Sequence, residues 1–235
     1  SEADSLPVSR AHHLILGVAY AKGPWLVDLE LYAKSLQQLT TYSLFYETNF
    51  AEIRFGELLQ NGRGQVHGLD LMVQREAGPL TTWASYTLAR VQRRFADIDE
   101  GAAFASDFDQ RHQLNVVGVL NLEHWELSAT WLLASGRPFT PAEEVVAISP
   151  VGQDPAYWLL FGPRNSERLP AYHRLDVSTS YRLDLGKAVE GQIGLSVFNL
   201  YNRRNVLDKR YRIQPSGQEG ELPLILSMNR NMLGI

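Results

Sequence analysis

The residues best suited to chemistry fall into a few clusters of histidine, carboxylate and hydroxyl side chains. His12 and His13 are adjacent, and Asp107, Asp109 and His112 lie close together. A metal needs its ligands on one side of the backbone, yet neighbours on a strand point to opposite faces. His12 and His13 therefore cannot share an ion without a bulge. Asp107 and Asp109 share a phase within a loop, where calcium could be held. Glu143-Glu144 and Asp97, Asp99 and Glu100 are more simply solvated loop charges. Ser128 and His173 belong to separate strands, and their spacing alone makes no dyad. No nucleophile elbow, phosphate-binding glycine loop or zinc-protease helix motif is present. With no cysteine, disulfides, zinc knuckles and thiol chemistry are excluded. No catalytic residue, cofactor site or metal site is assigned, and the chain is not expected to be an enzyme.

The elements that must position these residues are strands. Trp25, Val27, Leu29 and Leu31 alternate with Leu26, Asp28, Glu30 and Tyr32, which is the strand period. The same alternation runs from His112 through Leu122, from Trp125 through Leu133, from Leu175 through Leu183 and from Ile193 through Val197. No helical stripe of comparable length exists, so the chain is all-β. The expected strands cover 11–22, 25–43, 62–76, 79–95, 110–123, 124–138, 171–185 and 189–212, with a last one from about 222. Globular strands usually have ~5 to 6 residues, whereas a tilted strand needs ~9 to 11 residues within a bilayer. Most of these exceed both.

The connections separate the classes further. Lys22-Gly23-Pro24, Ala77-Gly78-Pro79, Glu123-His124 and Gly186-Lys187-Ala188 are tight joins, and between them lie long ones at 44–61, 96–109, 139–170 and 213–221. Short and long connections alternate. In an antiparallel sheet that puts trimmed turns at one end and large loops at the other, the pattern of an outer-membrane barrel. Trp25 and Trp125 sit beside tight turns, and Tyr181 and Tyr201 lie near strand ends, as interfacial girdles require. No apolar run approaches the ~18 to 20 residues of a membrane helix, and the opening SEADSLPVSR has no signal-peptide pattern. A net charge of -4 argues against a polybasic nucleic-acid binder.

Five segments in order resemble the barrel of TonB-dependent receptors. They are residues 62–95 (GRGQVHGLDLMVQREAGPLTTWASYTLARVQRRF), 108–122 (FDQRHQLNVVGVLNL), 135–141 (SGRPFTP), 169–184 (LPAYHRLDVSTSYRLD) and 197–206 (VFNLYNRRNV). Within them, Gly68 is expected on the lumen-facing phase, where a missing side chain makes room for a neighbour or a plug. In Asp109-Gln110-Arg111-His112, the Arg could pair with Asp or reach headgroups where a strand enters the bilayer. Asn199, Asn202, Arg203, Arg204 and Asn205 are expected at the water-exposed end of a strand.

The resemblance implies a transmembrane antiparallel up-and-down barrel wall, about eight or nine strands of a ~22-stranded barrel. Residues 1–235 then form a partial outer-membrane barrel domain without plug or signal peptide. It further implies uptake of a scarce ligand such as a siderophore, cobalamin or glycan across the outer membrane of a Gram-negative bacterium. The partners would be outer-membrane lipid, the TonB complex by way of a plug, and the small extracellular ligand, with no nucleic acid. A passive porin or adhesin barrel, or an outer-membrane enzyme on a barrel, are the alternatives. The closing Asn231-Met232-Leu233-Gly234-Ile235 lacks the usual terminal aromatic and is similar to a stretch that precedes the final strand in receptors of the Bacteroidota type. A chain truncated at that point is expected to present an open sheet.

The long loops carry aromatics and cations suited to stacking on sugars or catechols and to pairing carboxylates: Tyr42, Phe45, Tyr46, Phe50 and Arg54 in one, and Tyr157, Trp158, Phe161 and Arg164 in another. Tyr42, Tyr46, Arg54, Tyr157, Trp158 and Arg164 are the candidate ligand contacts. Packing of the loops against each other is the competing explanation.

Overall fold

The computed structural model describes residues 8–42, 59–148, 156–184, 186, 189–214 and 224–231. In chain order the strands are β1 (Arg10–Lys22), β2 (Trp25–Tyr42), β3 (Leu59–Ala77), β4 (Leu80–Phe95) and the short β5 (Phe104–Ala105). Then come β6 (His112–Asn121), β7 (Trp125–Ala134), β8 (Pro138–Phe139), β9 (Ala142–Ile148) and β10 (Ala156–Phe161). The last are β11 (Glu167–Arg168), β12 (Tyr172–Asp184), β13 (Glu190–Val197), β14 (Val206–Gln214) and β15 (Leu224–Asn231). Among the described residues the helical structure is a single 3-10 turn, Asp99–Gly101. No helix among the described residues is long and apolar enough to cross a membrane, which says nothing of crossing by strands.

The principal sheet runs β1-β2-β3-β4-β6-β7-β12-β13, antiparallel throughout, with β5 added beside β4. Consecutive long strands are therefore neighbours, and the sheet is open. The tight joins form as their residues dictate. Lys22 pairs with Trp25 and Ala77 with Leu80 across two-residue loops. Gly23 (φ 58) and Gly78 (φ 59) take the positive φ that the first central position of a type II′ turn demands. Pro24 and Pro79 fill the second position, where a fixed negative φ fits.

The register sorts the two faces cleanly. One continuous row is Tyr20, Val27, Val73, Ala84, Val116, Trp131 and Leu175, and another is Leu80, Leu120, Leu127, Thr179 and Leu195. Leu120, Leu127, Trp131, Val177 and Leu195 share this apolar face, as the alternation requires. The opposite face carries rows such as Gly17, Glu30, Asp70, Thr87, Gln113 and Ala134. The apolar face is bare: Leu16 is 71% exposed and Leu195 66%. A water-soluble monomer rarely shows contiguous apolar patches beyond a few hundred Å². The buried apolar side chains among the described residues are Phe95 and Val117 in the principal sheet, Val145 in the β9–β10 hairpin, and Ile98 and Leu169 in the loops. A bare apolar face of this kind suits a surrounding solvent that is itself apolar.

Two expectations need correction. The strand expected over 189–212 is two, because the ladder with β12 stops at Val197 and the chain turns through 198–205 before β14. Asn199 (φ 52) and Asn202 (φ 51) adopt the left-handed conformation there, which Asn tolerates and which breaks a strand. The segment expected from about 222 pairs with β14 in a separate two-stranded sheet and does not extend the principal one. The long connection at 139–170 also holds structure of its own, the β9–β10 hairpin and the β8–β11 pair.

Candidate functional site

Among the described residues the elaborate connections lie at one end of the sheet, and the site is built there. Its centre is Asp109, which has no exposed surface. Its Oδ1 accepts the Val91 backbone N–H at 2.6 Å, and its Oδ2 accepts Arg111 Nε–H at 3.2 Å and an Arg168 Nη2–H. Arg168 Nη1 also donates to the carbonyls of Asp109 (2.8 Å) and Gly136 (3.1 Å). One guanidinium thus ties the segment after β5 to the segment before β8. Gly136 is required here, since a Cβ would lie 1.6 Å from the Leu169 carbonyl oxygen. A buried carboxylate survives only when paired and hydrogen-bonded, and both conditions are met.

A second knot stands beside the first. Asn165 donates from Nδ2 to the Ala105 carbonyl and to Asp107 Oδ1, both at 2.7 Å. Its backbone N–H donates to Thr140 Oγ1 at 3.1 Å. The Arg164 backbone N–H donates to the Asp99 carboxylate at 3.0 and 3.2 Å, and its guanidinium lies 3.8 Å from Asp107. Asp109 is thereby paired with Arg111 and Arg168 and Asp107 with Arg164, while Asp99 is held by the Arg164 backbone N–H. Asp107 and Asp109 face different partners and do not converge on a shared cation position. Among the described residues no group of three or more His, Cys, Asp or Glu is arranged to hold a metal.

The asparagine-rich turn at 198–205 completes the rim. Asn205 is buried and pairs with the β12 backbone like a missing strand, accepting from His173 N–H at 3.1 Å and donating to His173 O at 3.0 Å. Asn199 accepts from Arg203 N–H (3.1 Å) and donates to Arg203 O (3.0 Å), while its own N–H donates to Asp176 (2.8 Å). The motif that resembles a strand end is a pinned turn. His173 hydrogen-bonds Tyr201 at 2.7 Å on the apolar face, whereas Ser128 hydrogen-bonds Ser178 at 2.6 Å on the polar face. They cannot act as a dyad.

The candidate ligand contacts have separate fates. Tyr46 and Arg54 lie outside the described residues, and Tyr42 is the last residue of β2, its backbone opposite Leu59. Tyr157 (39% exposed) and Trp158 (46%) are consecutive on β10, so they project to opposite sides of the β9–β10 hairpin. Arg164 is held at Asp107 and belongs to the knot. Sequence reasoning missed Phe139, Lys209 and Tyr211. Lys209 Nζ lies 4.8 Å from the centroid of the Phe139 ring and 5.9 Å from that of Tyr211, and Phe161 meets Tyr211 edge-on at 6.3 Å. These contacts brace the β14–β15 hairpin against the segment from β8 to β10. It also missed a concavity of about 450 Å³ on the polar face beneath the loops, lined by Ser85, Thr87, Gln113, Asn115, Arg137 and Tyr172 among others. Asn115 Oδ1 is buried there without a hydrogen-bond partner. The polar phase of β4 and β6 was the available signal for it.

Comparison with known proteins agrees with this architecture. Residues 10–200 match the family model described as TonB dependent receptor-like, beta-barrel. The fold is similar to that of the FrpB iron transporter from Neisseria meningitidis (F3-3 variant), with a TM-score of 0.56 at 15% identity. The match covers 86% of this chain and 28% of that one, so the chain spans little more than a quarter of the transporter's length. No curated protein matches it in sequence. With the family model matched over most of its length, the chain belongs to the TonB dependent receptor-like β-barrel family.

Proposed function

We propose that residues 1–235 are part of the barrel wall of a TonB-energised outer-membrane receptor that imports a scarce extracellular small ligand. The observation that carries this is the two-faced wall: an apolar face fit for lipid, a polar face with a roofed concavity, and every structured loop at one end. The ligand would be met first by exposed loop side chains, with Tyr157 and Trp158 the best placed and Tyr42, Tyr46, Arg54 and Arg164 the remaining candidates. The structurally similar protein is an iron transporter, so a ferric chelate is the first ligand class to test. Within the family, the Bacteroidota type is the reading that the sequence of residues 231–235 favours. Coupling to TonB would run through a plug domain that these strands surround, and the wall itself supplies no catalysis.

The test is radiolabelled ferric-siderophore uptake by cells with and without tonB. Deletion should abolish high-affinity uptake and leave binding to the cell surface intact. Uptake that survives unchanged would make the protein a passive pore.

A further inference from the structure

The face that meets the bilayer changes character along β1 to β4 in a graded way. At the height of Leu16, Leu31, Leu69 and Leu88 the row is wholly apolar. The next row toward the loops is Leu14, Ala33, His67 and Arg90. Above it come His12, Ser35, Gln65 and Gln92, then Arg10, Gln37, Arg63 and Arg94. Four arginines and two histidines occupy these three rows, and no acid does. Arg63 and Arg94 are directly opposed in register, an arrangement that repels unless an anion lies between. All four arginines are exposed, and none makes an ion pair among the described residues. The acids of the following turn, Asp97 and Glu100, do not pair with them either. A concavity of about 640 Å³ is lined by Gln37, Asn61, Arg63 and Arg94, which offer guanidinium and amide donors.

We infer that this strip binds the headgroup of an outer-leaflet lipid that carries more than one phosphate on a large polar headgroup. Its acyl chains would lie along the leucine row below. Two features fix the occupant. The cations continue upward from an apolar face whose only suitable solvent is lipid, so the anion must come attached to a tail. Moreover, Arg90 and the Arg63–Arg94 pair are two rows apart, about 13 Å along the strands at ~3.3 Å per residue, a reach that suits several phosphates on one headgroup. Arginine is the side chain for this task, because its planar fork grips phosphate oxygens in pairs. The inference rests on the outer-membrane placement proposed above.

The experiment uses the full-length protein extracted from outer membranes in mild detergent and native mass spectrometry with added diphosphoryl lipid A. Wild-type protein should retain the lipid, and Arg63→Gln/Arg94→Gln should lose roughly tenfold or more in affinity. The double Arg→Lys variant keeps the charge but loses the fork, so it should bind more weakly than wild type and more tightly than the Gln variant. Arg93→Gln, on the opposite face, should match wild type. Fully dephosphorylated lipid A should bind no better to wild type than to the Gln variant, and millimolar inorganic phosphate should not displace the phosphorylated lipid. Equal binding by wild type and the Gln variant, equal binding of the dephosphorylated lipid, or displacement by inorganic phosphate would overturn the inference. Membrane fractionation of the same strains separates the two levels: absence from the outer membrane contradicts the placement, and a failed lipid comparison from a correctly placed protein contradicts the lipid site alone.

Discussion

In the sheet, Val116 and Leu127 stand exposed in the middle of an apolar face. At the loop end, Asp109 and Ser106 are almost wholly covered, and Phe95 and Ile98 are buried beside them. The two regions rely on different forces. The wall buries few apolar side chains of its own, Val117 among them, and its bare apolar face is suited to lipid. The loop end stands in water and orders its irregular backbone with buried carboxylate–guanidinium and asparagine contacts. Backbone ladders hold the first, and side-chain anchors hold the second.

The largest effect should come from cutting the centre of the loop knot. Asp109→Ala leaves Arg168 and Arg111 without their shared acid and the Val91 N–H without its acceptor. Breaking a buried pair on one side costs about 3–5 kcal/mol. In native gels and limited proteolysis of the full-length protein, loops 96–111 and 135–171 should become cleavable while the barrel stays heat-modifiable. Loss of the barrel itself would show that the knot and wall are one cooperative unit.

A charge on the lipid face comes next. Val116→Arg should destabilise by about 2–4 kcal/mol near the bilayer midplane. Val119→Arg, on the opposite face of the same strand, should cost far less. Urea unfolding in lipid vesicles measures both, and equal costs would erase the distinction between faces.

Gly68→Ala sharpens the comparison from inside the wall. A Cβ there would lie 2.2 Å from the Tyr32 ring, which covers the glycine across the β2–β3 pair. Overpacking of this kind costs about 1–3 kcal/mol, and Tyr32→Ala in the same chain should recover most of it. Failure of that rescue would mean that Gly68 serves its backbone and not the ring.

Smallest of all, Tyr157→Ala and Trp158→Ala should leave stability within about 0.5 kcal/mol, as exposed positions usually do. Their effect should appear in ligand binding to whole cells. A large loss of stability from either would make them loop packing and not ligand contacts.

Much of the wall was legible in the sequence because its physics is local. Two-residue alternation, Gly-Pro turns and the trade of short against long connections need no knowledge of distant partners, and they place β1 to β4, β6, β7 and β12. The loop end was not legible, because its order comes from pairs far apart in the chain. Nothing in the order Gly162-Pro163-Arg164-Asn165 shows that Asn165 reaches Ala105 and Asp107, or that Arg164 reaches Asp99. The break after Val197 was hidden for a related reason. Apolar residues continue through Phe198, Leu200 and Val206, and only the positive φ of Asn199 and Asn202 ends the strand. Aromatic and cationic loop content could not separate Arg164, which is held at Asp99 and Asp107, from Trp158, which stands 46% exposed.

If one face of this sheet meets lipid and the other meets water, solvent access must alternate along each strand. Because these residues contain no cysteine, single spin labels can be introduced along β6 at Gln113, Leu114, Asn115, Val116, Gly118, Val119 and Leu120 in the full-length protein reconstituted in vesicles. Collision with oxygen, which concentrates in lipid, should peak at Leu114, Val116, Gly118 and Leu120. Collision with a water-soluble nickel chelate should be confined to the alternate positions. A flat profile, or nickel access at Val116 and Leu120, would contradict the account.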